Sequence, residues 1–221
     1  MISALLAVSL VGSCVAWPLG RRLGRRSAGW VLALLPAGLF AAFLGFARTI
    51  EAGRTVTEQL AWAPSLGVAL TLRLDGFAYL FCLLVTGVGA LVVAYAGAYL
   101  AERTAADRAR FLALILLFMT AMLGAVLADD LLVLFVFWEA TSVVSFLLIG
   151  FDVDSPSARR SALMSLRVTA GGGLALLAAI LLIGATLGTY SLAAVMARTP
   201  ELARSPWVVP ILGGVLVGGF T

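Results

Sequence analysis

The sequence predicts an all-α fold, a polytopic membrane helix bundle with six complete transmembrane helices plus a truncated seventh. The chain is 62% hydrophobic and 12% charged, whereas a soluble domain carries about 25% charged residues. Its apolar runs are near the ~20 residues that cross ~30 Å of hydrocarbon. Since a helix satisfies every backbone group within one such segment, each run is predicted to be helical.

The apolar runs follow one another along the chain, and only the last one, at roughly 15 residues, is too short to span a bilayer. The predicted helices cover residues 2–19, 30–47, 77–100, 111–128, 131–151, 168–187 and 207–221. We therefore expect residues 1–221 to form a single transmembrane region, the N-terminal part of a longer protein.

The longest connection, 48–76, is predicted to be extracytoplasmic. Residues 66–76 alternate apolar and polar side chains and end in Asp75-Gly76, a pattern that favours a short strand or hairpin. Asp129 and Asp130 occupy a tight turn between the fourth and fifth helices. The Ser155-Pro156-Ser157 sequence marks a loop or a helix start.

The basic residues, all of them arginine, predict the orientation of the chain. The connections 21–26, 101–110 and 152–167 hold most of these arginines, and positive charge accumulates on the cytoplasmic side. We therefore expect the N-terminus to lie outside a multi-pass protein of the cell inner (plasma) membrane. The first run does not resemble a signal peptide, because its charges follow the apolar segment instead of preceding it.

Several chemistries are excluded or disfavoured by composition. The chain has no histidine, which excludes a histidine-ligated metal or haem and a Ser-His-Asp triad. Cys14 and Cys82 each lie inside an apolar run, where small buried hydrophobes are the ordinary interpretation. The arginines form short clusters, typical of orientation signals and not of a nucleic-acid surface. We expect a lipid bilayer as surroundings and no cofactor, metal or nucleic acid.

One carboxylate lies deep in an apolar run. Glu139 is the ninth residue of the segment 131–151, where a charge costs at least about 2.5–3.5 kcal/mol on insertion scales. Such residues commonly mark an ion path, so we interpret Glu139 as the proton-translocation site. The alternative is that Glu139 only bonds to a neighbouring helix, although a neutral side chain would do this at lower cost.

Polar residues near Glu139 are candidates for an ion path. Ser142 follows three residues later on the same helix face, Ser145 extends that face, and Trp138 is deep and adjacent. The alternative for the hydroxyls is a bond back to their own helix.

A second polar group precedes a run of three glycines at the predicted start of the sixth helix. Arg167 is either a cytoplasmic anchor whose head group reaches the interface or a partner cation for the Glu139 region, and Thr169 lies beside it on the possible path. For 171–173, close helix packing or a local break fits better than phosphate binding, because no GK[ST] follows.

The segment 122–151, which contains LADDLLVLFVFWEATSVVSFLLIG, together with Asp75-Gly76-Phe77, resembles the antiporter-like subunits. These occur in respiratory complex I and in Mrp-type multisubunit Na⁺/H⁺ antiporters, and the segment is most similar to the A subunit of the latter. Residues 162–174 and 218–221 resemble the family's next segments.

The resemblance implies a proton- or sodium-translocating subunit of a multisubunit monovalent cation/proton antiporter. Its partners would be other membrane subunits, protons and Na⁺, and it would be a secondary transporter subunit instead of a catalytic enzyme. Glu139 matches the family's fifth-helix glutamate, which pairs with a lysine on the seventh helix. That lysine is expected at or near the residue after Thr221.

Two departures and two alternatives accompany the resemblance. Asp130 stands where Asn is expected, and Met164 stands where relatives often carry Lys or another polar residue, so no sixth-helix relay is implied there. The chain could instead be the matching proton-pumping subunit of complex I or of a membrane-bound hydrogenase, which binds no redox cofactor. It could also be a non-conducting membrane assembly scaffold.

Overall fold

The structure, a computed structural model, describes residues 1–24, 27–63 and 68–221, and helices dominate it. Within these residues, six helices are long and apolar enough to cross a membrane. The predicted multi-pass helix bundle is therefore confirmed. Arg25 and Arg26 of the predicted cytoplasmic cluster, and Leu66 and Gly67 of the alternating segment, lie outside the described residues.

The elements follow the predicted order, with short additions between the long helices. They are α1 (Ile2–Arg22), α2 (Ser27–Leu44), α3 (Ala47–Glu51), β1 (Val56–Ala63), β2 (Val68–Leu74), α4 (Gly76–Tyr99), α5 (Ala105–Leu127), α6 (Leu131–Ile149), α7 (Pro156–Leu187), α8 (Leu192–Ala197), α9 (Thr199–Ala203) and α10 (Val208–Phe220). At ~1.5 Å per residue, the 13 residues of α10 extend for roughly 20 Å, which is less than the hydrocarbon thickness.

The start of α7 corrects the predicted sixth helix, which was placed at residue 168. Ser155 caps α7, because its Oγ accepts a hydrogen bond from the Ala158 N–H at 3.3 Å, and Pro156 occupies the first turn. Most of the predicted connection 152–167 is therefore helical. The apolar run marked only the part of the helix suited to lipid.

The start of α5 corrects a second boundary, predicted at residue 111. Thr104 Oγ1 accepts a hydrogen bond from the Asp107 N–H at 3.1 Å and initiates the helix there. Arg108, which was assigned to a cytoplasmic connection, lies within α5 and is only 2% exposed.

The connection 48–76 contains the short helix α3 and a two-stranded sheet of β1 and β2. A strand or hairpin is therefore present as expected. However, Asp75-Gly76 is not its turn. Asp75 is the N-cap of α4, with its Oδ1 accepting from the Ala78 N–H at 2.9 Å, because a carboxylate satisfies the free N–H groups of a first helical turn.

The chain forms two compact units, the first of residues 1–58 and 73–127 and the second of residues 59–72 and 128–221. In the first unit, α1 packs mainly against α5, and α2 against α4. Gly29 of α2 and Gly97 of α4 let two backbones meet, because a Cβ at Gly29 would lie 2.7 Å from the Gly97 Cα.

Three buried hydroxyls connect α1 to α5. Ser9 Oγ and Ser13 Oγ lie 2.6 Å and 3.0 Å from Thr120 Oγ1, and Ser13 Oγ also donates to the Ser9 carbonyl at 2.8 Å. Each hydroxyl has a partner, so the cluster carries little desolvation cost and fixes the register of two helices that are distant in sequence.

In the second unit, α7 packs against both α6 and α10. The turn before α6 is held by its backbone: the Asp129 N–H donates to the Thr71 carbonyl at 2.9 Å, and the Asp129 carbonyl accepts from the Leu192 N–H at 2.7 Å. Strand β2 and the start of α8 thereby fix the point at which α6 begins.

Candidate functional site

Helix α6 carries Glu139 near its midpoint. The helix begins after Asp130, whose Oδ1 accepts from the Leu132 and Val133 N–H groups at 2.9 Å and 3.2 Å. Glu139 is the ninth residue of the 19 in α6, or about 13 Å along the axis. The helix is long enough to span a membrane, and Glu139 lies near the middle of its length.

The Glu139 carboxylate lies against Gly173 of α7. The side chain is half-buried, and its Oε1 is buried with no hydrogen-bond partner among the residues that the structure describes. A Cβ placed at Gly173 would stand 2.9 Å from the Glu139 Cδ and 3.3 Å from its Oε2. Glycine at this position therefore provides the space that the carboxylate occupies.

The neighbouring glycine of α7 faces a different helix. A Cβ at Gly172 would lie 2.6 Å from the Thr221 Cβ, and a Cβ at Gly218 of α10 would lie 2.9 Å from the Gly172 carbonyl oxygen. The triple glycine was expected to open a helix, but it lies in the interior of α7, which continues without a break. It allows α6 and α10 to approach α7 closely on two sides.

The hydroxyls predicted to line a path bond to their own helices. Ser142 Oγ donates to the Trp138 carbonyl at 3.4 Å, and Thr169 Oγ1 donates to the Ser165 carbonyl at 3.1 Å. Both side chains are half-buried, as is Ser145. These bonds match the alternative interpretation of the hydroxyls, and a role in ion movement stays a prediction.

The remaining predicted residues lie at different places around Glu139. Trp138 precedes it on α6 and is half-buried. Thr169 lies one turn before Gly173 and thus on nearly the same face of α7. Arg167 is exposed and six residues before Gly173, which places it about 9 Å along the axis and on another face. The structure therefore does not bring Arg167 to Glu139.

The contacts of Gly173 with Glu139 and of Gly172 with Thr221 were not predicted from the sequence. The available signal was the triple glycine at membrane depth, which predicts close packing without identifying the neighbouring helix. The glycines become informative only once the pairing of α6 with α7 is known.

The turn before α6 contains a pair of acidic residues, Asp129 and Asp130, both buried. Burial raises the pKa of Asp130, hydrogen bonds from the Val133 and Leu132 N–H groups oppose this, and the charge of Asp129 raises the pKa further. The Ser191 Oγ donates to Asp129 Oδ2 at 3.4 Å. These contacts hold the start of α6 in place.

Two protein-family models match the chain. The family described as NADH:quinone oxidoreductase/Mrp antiporter, transmembrane part, matches residues 128–221, which contain α6, α7 and α10. The family described as the N-terminus of complex I chain 5 matches residues 62–112.

The curated relatives belong to cation/proton antiporters. A probable K⁺/H⁺ antiporter A/B subunit of Rhizobium meliloti is 38% identical over 100% of this chain, which covers 22% of that protein. An Na⁺/H⁺ antiporter A1 subunit of Staphylococcus haemolyticus is 40% identical over 87% of the chain, and an Na⁺/H⁺ antiporter A subunit of Alkalihalophilus pseudofirmus is 37% identical over the same share. This chain covers 24% of each of these two.

Solved structures share the fold. A chain of the Mrp complex from Dietzia sp. matches 99% of this chain with a TM-score of 0.87 and 34% identity, and 23% of that chain is covered. Complex I from Thermus thermophilus matches 99% with a TM-score of 0.73 and 24% identity, over 43% of its chain, which shows the fold alone. The resemblance seen in the sequence is thus confirmed: the chain is similar, in sequence and in fold, to antiporter-like membrane subunits.

Proposed function

We propose that this chain is part of a proton- and cation-translocating subunit of a multisubunit monovalent cation/proton antiporter, in which Glu139 carries the proton. The observation that carries the proposal is the position of Glu139. It is half-buried at the middle of a spanning helix and contacts a glycine of the next one. A carboxylate is costly at that depth, whereas a neutral residue would satisfy packing alone.

The names of the relatives support an antiporter over a complex I subunit. At 37–40% identity, the relatives from three organisms are described as Na⁺/H⁺ or K⁺/H⁺ antiporter subunits. The likeness to complex I is at 24% identity and concerns the fold. We therefore favour a secondary transporter subunit over an enzyme, with other membrane subunits as its partners and Na⁺ or K⁺ as the exchanged ion.

The geometry also supports the expected lysine pair of Glu139. Thr221 contacts Gly172, and the adjacent Gly173 contacts the Glu139 carboxylate. The backbone of a residue that follows Thr221 would therefore lie close to Glu139, with the glycines of α7 between them. Approach and withdrawal of a lysine there would let Glu139 release and take up a proton in turn.

The test uses the full-length protein with its associated subunits in membrane vesicles, with recovery of internal pH driven by added Na⁺ or K⁺. We expect Glu139→Ala and Glu139→Gln to lose cation-driven pH recovery, because neither side chain ionises. Glu139→Asp should keep part of the flux, because a proton site survives at shorter reach. Assembly, followed by co-purification of the subunits, should be unchanged.

Glu51→Gln provides a matched control, because Glu51 is exposed at the end of α3. The same change of charge there should leave pH recovery normal. Normal recovery in Glu139→Gln vesicles would contradict titration at this site. Glu139 would then be a packing residue, and the scaffold alternative would take the place of this proposal.

A further inference from the structure

A groove lies between α1 and α5 of the first unit. Its volume is about 320 Å³, and apolar side chains dominate its lining. Trp17 on its wall is 52% exposed, so the groove opens to the surroundings of the helices. The lining residues are Ser13, Cys14, Trp17, Arg110, Ala113, Leu114 and Leu117.

Positive charge is concentrated at one end of this groove. Helices α1 and α5 run antiparallel, and the contact between Gly20 and Ala109, whose Cβ lies 3.1 Å from a Cβ placed at Gly20, brings the end of α1 beside the start of α5. Arg110 lines the groove at that end. Arg21 is exposed one turn beyond Trp17, on the same face of α1, and Arg22 is exposed beside it.

One carboxylate, that of Asp107, lies beside Arg110 at this end of the groove. Asp107 Oδ1 lies 3.9 Å from Arg110 Nη2, and Asp107 Oδ2 also accepts from Thr104 Oγ1 at 2.7 Å. Beside this pair of Arg110 and Asp107, the exposed Arg21 and Arg22 add two positive charges. The groove therefore combines a long apolar floor with a cationic mouth.

We propose that the groove between α1 and α5 binds one anionic phospholipid. Its acyl chain would lie along Trp17, Leu114 and Leu117, and its phosphate would lie at Arg110 and Arg21. Tryptophan at the membrane interface and arginine beside anionic headgroups are the ordinary partners of such a lipid. A helix of another protein would fill the apolar floor, but it would make no use of the cationic mouth.

The test uses the full-length protein with its associated subunits in phosphatidylcholine vesicles that contain phosphatidylglycerol with a photoactivatable acyl chain. After illumination, mass spectrometry should locate the label within residues 13–17 and 113–117. Unlabelled phosphatidylglycerol should compete, and phosphatidylcholine should not. The double variant Arg21→Gln/Arg110→Gln should weaken labelling by about fivefold for each arginine removed, since each contributes on the order of 1 kcal/mol near an anionic surface.

Ala113→Phe fills the groove and should abolish the label without touching the arginines. Leu91→Phe is its control, because Leu91 is 73% exposed on α4 and outside the groove. Equal labelling by a photoactivatable phosphatidylcholine would overturn the proposal. It would also fail if a crosslinker attached to Cys14 captured a helix of another protein in place of lipid.

Discussion

Gly173 of α7 faces the carboxylate of Glu139 on α6, and that carboxylate occupies the space that a side chain at position 173 would fill. The two residues sit on helices that pack side by side, each near the middle of its span. A side chain larger than that of glycine at position 173 would therefore displace the Glu139 carboxylate.

Gly173→Ala should impair transport almost as strongly as a change of Glu139 itself. The added methyl group would overlap the carboxylate and push it away by roughly 1 Å, and displacements of this size can cost about 100-fold in a rate that depends on geometry. We expect cation-driven pH recovery to fall by roughly 10–100-fold while the subunits still co-purify.

Gly171→Ala is the matched control, because a Cβ at Gly171 would meet no atom within 4 Å. It should leave transport normal and increase the helix propensity of α7 slightly. Equal transport by Gly173→Ala and Gly171→Ala vesicles would show that the position of the carboxylate is unimportant.

Thr120→Val should destabilise the pairing of α1 with α5. The substitution keeps the shape of the side chain but removes the hydroxyl that contacts Ser9 and Ser13. Interhelical hydrogen bonds in membranes contribute about 0.6 kcal/mol on average and up to ~1.7 kcal/mol. A double-mutant cycle with Ser9→Ala, measured by SDS-induced unfolding of the full-length protein, should give a coupling energy in this range.

Thr186→Val provides the comparison for that cycle. Thr186 Oγ1 is buried and has no hydrogen-bond partner within the described part of the chain. Removing its hydroxyl should be neutral or slightly stabilising, because no bond is lost. A cost for Thr186→Val as large as that for Thr120→Val would contradict the assignment of the energy to the hydroxyl cluster.

The pH dependence of stability should carry a contribution from Asp130, whose pKa is raised in the folded protein. The folded state thus favours the protonated carboxyl. The contribution of Asp130 to the free energy of unfolding is complete below the ordinary pKa of about 3.9. It is lost as the pH rises through the higher folded-state pKa. Asp130→Asn keeps an acceptor for the helix cap without the charge, so it should raise the melting temperature at neutral pH.

Asp130→Ala separates the charge from the cap. It removes the bonds from the Leu132 and Val133 N–H groups and should cost about 1 kcal/mol relative to Asn. Melting curves of the full-length protein, recorded from about pH 4 to about pH 8 so that they begin near the ordinary pKa of an aspartate, test both variants. A melting temperature of Asp130→Asn that is no higher than that of the wild type at neutral pH would contradict the buried-charge argument.

The orientation predicted from arginine counts is open to a direct labelling test. In a chain with Cys14 and Cys82 replaced by alanine, Gly24→Cys should react with an impermeant maleimide only after the cells are opened. Arg54→Cys, at an exposed position of the connection 48–76, should react in intact cells. Labelling of position 24 from outside would reverse the topology.

The spanning helices could be predicted from the sequence because the length of an apolar run is set by the bilayer. The true ends of these helices could not be predicted, since a helix that leaves the hydrocarbon continues through polar residues. Helix α7 shows this: Arg159 and Arg160 suit a solvated turn as well as a loop, and only the cap at Ser155 decides. Arg108 was misplaced for the same reason.

The position of Glu139 along its helix could also be predicted, but its contact with Gly173 could not. Apolar side chains lie all round α6, so its sequence does not show which neighbouring helix meets the face that carries Glu139. The contact depends on the register between α6 and α7, which is set by the fit of many side chains together. The bonds of Ser142 and Thr169 to their own helices depend on side-chain rotation, which spacing does not reveal.

The pairing of α1 with α5 has a consequence for how the protein is made. Synthesis proceeds from the N-terminus, so α1 enters the membrane well before α5 leaves the ribosome. During that interval Ser9 and Ser13 lack the hydroxyl of Thr120 that they contact in the finished protein. Until α5 is inserted, the face of α1 that will contact α5 must therefore be covered by the insertion machinery or by lipid.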